Sequence, residues 1–582
     1  MGHNLKYHMI VTTGLLLAIH PAIAKADDDA LLAVYQTYLK KYIPLRAEIA
    51  MASFEARKSG SDAAFEKKKA ARLALAELHS DPAVFAELAD IRSSGPLVDP
   101  FTTRLAEVLY DQFLFCQQDR EAVEKIIEIE TDLERALRNH RVRVDGVEMS
   151  SGEVRQLLRT TTDSSRAEKA WKAYMALGKV LDPKVRELFQ LRNRFAEKME
   201  KGHYFRLMLF LKKFTPVQFY RFLNLLNMDM SECYAKVKGE IDPALAAKFG
   251  IEVDQLRPWH YGDVYLRDAP VTPESDLDVL FKDADIVRLA REYFDGLGLP
   301  CDDIIKRSEF RKAPTGSIYP CLLGYEGEDG VRLACDIEPT LAGAEALFQN
   351  FAKAIYRKNM GKDVPLLLQQ PPHGAVDEAF ASLFGQAVRN TDFLTRIAHV
   401  SPKRMEEIAP IAERNMQWRT LIRAQWAQLV VRFEVSLCAD PTRDLPHVWW
   451  EFEKKYQLLA PPGEEDARYG YALVPEILFN PMHHHSTLMG DILAEQVYSL
   501  LVSETMDKAP DQRTSFVGNK KAGQLVREKL MKPANLYHWQ DLLHGNLGEN
   551  FSNRKYLKKY CNIDTPRDFR VAPMQTVPAA DK

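Results

Sequence analysis

Four side chains in the middle and C-terminal parts of the chain are of types that bind metals or move protons: His373, Asp377, Glu378 and His485. No two of them repeat the spacing of two histidines one turn apart on a helix, which a zinc hydrolase uses to grip its ion. His483, His484 and His485 are consecutive. Consecutive helix positions point about 100° apart, so three such imidazoles do not converge on one ion. The seven cysteines are scattered and form no CxxC pair, so neither a thiolate zinc site nor a dithiol redox motif is indicated.

These residues need rigid elements to hold them. Leu347, Phe351, Ala354 and Ile355 recur at three- and four-residue steps, which predicts a helix over Leu341–Asn359. A second helix is predicted from about Val376, after the loop signals Pro371, Pro372 and Gly374.

The phrase LFQNFAKAIY, 347–356, resembles the zinc-binding helix of the angiotensin-converting enzyme (peptidyl-dipeptidase A) family, V-H-H-E-[LM]-G-H-I-Q-Y. Downstream, DVPLLLQQPPHGAVDEA, 363–379, resembles the family segment that carries the third zinc ligand. WWEFEKKYQLLAPP, 449–462, resembles W-W-x-L-R-x-K-Y-Q-G-L-x-P-P. The resemblance implies a mainly α, two-lobed gluzincin-type fold around a deep cleft, with a small β-sheet beside the former zinc helix. It also places Gln349 at the first histidine, Asn350 at the general base and Lys353 at the second histidine. Glu378 falls on the third ligand, Asp377 on the histidine before it, and Ser382 on an aspartate that orients a ligand. In the run ALVPEILFNPMHHH, Met482 and His485 stand where the family has tyrosines; the second of those hydrogen-bonds the tetrahedral intermediate, an oxyanion-hole role.

Zinc is the cofactor this family implies, and its ligands are lost. Asn350 has no side-chain basicity and cannot take a proton from water. A unit charge 4 Å from another at an effective dielectric near 20 is worth about 4 kcal/mol, and a divalent ion would repel the Lys353 ammonium roughly twice as strongly. The expectation is that this ammonium takes the metal's place and pairs with Glu378, sparing a carboxylate from lying buried and alone. The resulting reading is an inactive peptidase homologue with no catalytic or metal-binding residues, holding a peptide or protein partner in its cleft. In the family the edge strand of the small sheet binds substrate backbone, and such strand addition needs few particular side chains. Two rivals stand beside it: an active peptidase with the displaced ligands His373, Asp377, Glu378 and His485, and an interaction protein with a closed cleft.

The whole chain has 582 residues and a formal net charge of −3, which gives no basis for a nucleic-acid surface. Residues 1–26 read as a signal peptide: a weakly basic start, an apolar run over Met9–Ile19, and small residues at Ala22, Ala24 and Ala26. The mature chain is expected to be exported, periplasmic or secreted, with no membrane span after the signal is removed. A peptidyl-dipeptidase-like domain is expected over 27–582: a helical part to 300, the cleft core over 301–400, a helical part over 401–565 and a flexible tail over 566–582. Strands are expected only within 305–335, where Cys321 and Cys335 flank a turn-rich centre and could form a disulfide across a hairpin. Helices are expected over Pro100–Leu137, Ala167–Leu181, Pro183–Lys201, Thr215–Lys238 and Asp276–Asp295, with Ser150 or Ser151 as a cap. His260, within PWHY, is expected to be a hydrogen-bonded structural residue.

Overall fold

The computed structural model describes residues 21–95, 97, 99–272, 276–312, 321–323, 331–463, 468–506, 514–567 and 569–571. Among them are twenty-one α-helices and three small sheets, which makes the chain mainly α. Most of the expected signal peptide, residues 1–20, lies outside the described residues. No described helix is long and apolar enough to cross a membrane.

Capping sets many helix starts. Ser150 accepts from the Glu153 N–H and the Glu153 carboxylate bonds back to the Ser150 N–H, closing a capping box ahead of the Ser151–Thr160 helix. Thr215 does the same with Gln218 for Pro216–Phe249. That helix runs eleven residues beyond the expected end at Lys238, through Pro243, until Gly250 closes it in the left-handed region at φ 65°.

Elsewhere tertiary packing overrides local signals. The two helices expected on either side of Pro183 are one helix, Ser164–Lys198. Proline removes one hydrogen bond, but Leu181 and Val185 are buried on both sides of it, and Asp182 receives hydrogen bonds from Tyr471 and Arg186. The single stretch expected over Pro100–Leu137 is instead two helices, Pro100–Leu114 and Arg120–Arg138, the second capped by Asp119. The helix expected from Asp276 starts only at Ile286, after a 3-10 turn over Asp278–Leu280.

Strands occur outside 305–335 as well. Arg141–Val144 and Val147–Ser150 form a hairpin. Its Asp145-Gly146 turn has both residues at positive φ, 49° and 83°, the geometry that Asp-Gly hairpin turns favour. Phe551–Ser552 pairs with Arg570–Val571, and Arg567 is bonded to Asp229. The segment expected to be flexible from 566 is therefore anchored through 571, apart from residue 568, which is not described. The three-stranded sheet has Arg332–Ile337 at its centre, parallel to Glu309–Lys312 and antiparallel to Cys321–Leu323. The register sets Cys321 opposite Ala334, one residue away from Cys335. Cys335 is a buried free thiol, so the expected disulfide with Cys321 is not formed.

The central strand leads directly into the Leu341–Lys358 helix, which Thr340 caps. Leu347, Phe351, Ala354 and Ile355 are all buried there, as their spacing requires. This helix packs on Gly374–Gly385, and Gly374–Gly385 packs on His483–Thr505. Glycines permit both contacts: a β-carbon on Gly385 would lie 2.5 Å from Gln349 Cγ, and one on Gly490 would lie 2.4 Å from Glu378 Cβ.

Candidate functional site

Lys353 and Glu378, where the resemblance would put two zinc ligands, face one another across these helices. Lys353 Nζ donates to Glu378 Oε1 at 2.5 Å. Both side chains are largely buried, 22% and 8% exposed. Burial opposes ionisation of Glu378, but Lys353, His483 and Arg423 outweigh it and hold the carboxyl down at about 2, from 4.5. Burial likewise opposes the Lys353 charge, and the Glu378 and Asp377 carboxylates outweigh it, raising the ammonium above its ordinary value. The expected pairing is present.

Asp377 lies 3.8 Å from Lys353 Nζ, but Arg357 is its closer partner, at 2.9 and 3.3 Å. Gln349 Nε2 donates to Glu345 at 3.1 Å, and Asn350 Nδ2 bonds back to the Ala346 carbonyl of its own helix at 2.7 Å. Ser382 is buried and accepts from Gln386. Its hydroxyl also stabilises the Asp491 carboxylate, although burial leaves that group raised overall.

His485 does not join this group. It is fully buried, its Nδ1 bonded to the Met482 carbonyl and its ring edge-on to Phe214, Phe219 and His373. Burial and the nearby Lys212 push it far below the usual imidazole range, so it stays neutral. His373 is also buried. It caps the Gly374–Gly385 helix, Nδ1 accepting from the Ala375 N–H at 3.0 Å. The three consecutive histidines diverge as helix geometry requires: His483 points to Glu378 at 3.9 Å, His484 accepts from Trp426 at 3.1 Å, and His485 turns to the phenylalanines. His260 is structural, bonded to Ser164 and to the Arg257 N–H.

A network of charges that sequence reasoning missed surrounds the pair. Glu345, 2% exposed, receives both Arg389 and Arg419. Asp268 lies 3.7 and 3.6 Å from the same two guanidiniums. Arg423 lies 3.1 Å from Asp491 and 3.7 Å from Glu378. Five cations (Lys353, Arg357, Arg389, Arg419, Arg423) thus face five carboxylates (Asp268, Glu345, Asp377, Glu378, Asp491). Arg419 and Arg423 stand one turn apart in the middle of Pro402–Ala439, among Trp418, Leu421, Ile422 and Trp426, a sequence signal that could have pointed to them.

The chain matches no family model. Nor does a curated protein match it.

Zinc does not fit the donors found here. Glu378, where the resemblance would put the third ligand, is bonded to an ammonium, and the amides of Gln349 and Asn350 make bonds within their own helix. Among the described residues no three His, Cys, Asp or Glu side chains are grouped to hold an ion. What the arrangement can do is join four helices, Leu341–Lys358, Gly374–Gly385, Pro402–Ala439 and His483–Thr505, by buried, mutually neutralising charges.

Proposed function

We propose that this chain is an exported, non-catalytic relative of the zinc peptidyl-dipeptidases, with two helical lobes about a cleft that binds a peptide or protein partner. The Lys353–Glu378 ion pair carries the reading. It occupies the positions where the resemblance puts the second and third metal ligands, and Asn350, at the base position, is committed to its own helix. Charges this close, linked on through Arg423 and Asp491, cost desolvation that only good mutual geometry offsets. The exposed fifth of the Lys353 side chain leaves the site reachable from solvent. The small sheet, with Glu309–Lys312 at one edge, supplies backbone groups for strand addition. Export rests on the sequence of residues 1–26 alone.

The test is elemental analysis of the purified full chain, together with cleavage and binding assays on a library of short peptides. The expected result is substoichiometric zinc, no chelator-sensitive cleavage, and saturable binding of a subset of peptides. Stoichiometric zinc with chelator-sensitive turnover would overturn the reading. Binding of no peptide would leave an interaction protein with a closed cleft.

A further inference from the structure

Far from the Lys353 site in sequence, five helices and a connecting loop line an open pocket of about 320 Å³, within the size range of small-molecule sites. Its polar wall comes from Arg46 on Pro21–Ser59, Arg72 on Asp62–His79, Glu130 on Arg120–Arg138 and Arg192 on Ser164–Lys198. Arg72 and Arg192 both bond the single Glu130 carboxylate. Arg192 is 4% exposed, and its buried Nη1 has no hydrogen-bond partner among the described residues. A buried N–H without an acceptor is uncommon and points to a missing partner. Arg46 stands exposed at the rim, and no carboxylate among the described residues pairs with it. Three guanidiniums and a single carboxylate thus line the pocket. The rest of the wall combines His79, Gln118 and Tyr204 with apolar side chains, Ile126, Ile127 and Phe195 among them.

We infer that this cavity binds a small organic carboxylate with an apolar body. The carboxylate satisfies the orphaned Arg192 N–H and is drawn in by Arg46, while the hydrocarbon part lies against the isoleucines and Phe195. Guanidinium forks match a carboxylate in geometry. The apolar surface offers inorganic phosphate nothing, so the heavier desolvation of a dianion is not offset. The inference does not depend on the reading of the Lys353 site.

The probe is 3-phenylpropanoate, titrated calorimetrically into the full chain beside its neutral amide and inorganic phosphate. The carboxylate is expected to bind at one site, the amide at least about tenfold more weakly, and phosphate not at all. Arg192→Lys keeps a cation for Glu130 but loses the fork, and should weaken binding about 10- to 100-fold, the worth of a hydrogen bond to a charge. Arg46→Ala, at the exposed rim, should weaken it about two- to fivefold. Ile126→Trp fills the cavity from a half-buried position and should abolish binding, with circular dichroism reporting that the variant is folded. The proposal fails if the carboxylate does not bind, if amide or phosphate binds as well, or if folded Ile126→Trp still binds.

Discussion

Gly490 meets Glu378 so closely that a β-carbon on the glycine would lie 2.4 Å from Glu378 Cβ and 2.9 Å from its carbonyl carbon. This contact seats the His483–Thr505 helix on Gly374–Gly385 and fixes the carboxylate that Lys353 reaches. Gly490→Ala should therefore destabilise the fold by about 1–3 kcal/mol, as overpacking does. Urea unfolding followed by tryptophan fluorescence measures it. An unchanged midpoint would mean that the helices part at no cost.

Removing Lys353 leaves Glu378 buried with only Arg423 and His483 nearby, at 3.7 and 3.9 Å. Lys353→Met should cost about 2 kcal/mol, less than the ~3–5 of a pair with no other neighbours. Lys353→His should also lower the melting temperature and should not bring in zinc, because Gln349 and Asn350 remain. In the double variant Lys353→Met/Glu378→Leu most of the loss should be recovered, and a double-mutant cycle reads the coupling.

The same pair has a pH signature. Glu378 is held at about 2 in the folded chain against 4.5 as a free side chain. Between those values the unfolded state takes up the proton first, so stability falls as pH drops from about 4.5 toward 2. Lys353→Met should flatten that part of the profile. Urea midpoints at pH 7, 4 and 3 for both chains would show it, and parallel profiles would remove Lys353 as the cause.

Glu434 behaves in the opposite sense. Burial pushes its carboxyl up to about 8, despite the Met482 N–H that it accepts at 2.8 Å. The unfolded chain releases this proton near 4.5, so the group costs stability as pH rises from about 4.5 to 8. Glu434→Gln keeps an acceptor for Met482 and removes the titration. It should melt higher than the parent at pH 8, with the advantage gone by pH 4. An equal difference at both pH values would refute a buried, neutral Glu434.

Ser150→Ala opens the capping box before Ser151–Thr160. The expected loss is about 1 kcal/mol, read as a lower melting temperature. Ser151→Ala, one position inside the helix, should be close to neutral.

The order of residues by itself determined the helical class, the buried face of Leu341–Lys358, a cap at Ser150 or Ser151, a helix starting at Thr215, and the divergence of the three histidines. All are local: they follow from backbone periodicity and from side chains bonding backbone within four residues. The chemical types at 349, 350 and 353 were also enough to suggest that an ammonium would turn to Glu378. Only the tertiary structure decided that Ser164–Lys198 passes through Pro183, that Asp145-Gly146 turns a hairpin, and that His485 lies among phenylalanines rather than in the charged site. It also decided the partners of Glu345, Arg389, Arg419, Arg423 and Asp491. A buried charge is stable only beside its opposite, and these opposites come from segments up to 151 residues apart, Asp268 and Arg419 among them. No local pattern records which distant helix brings the counter-charge; close packing at Gly385 and Gly490 does.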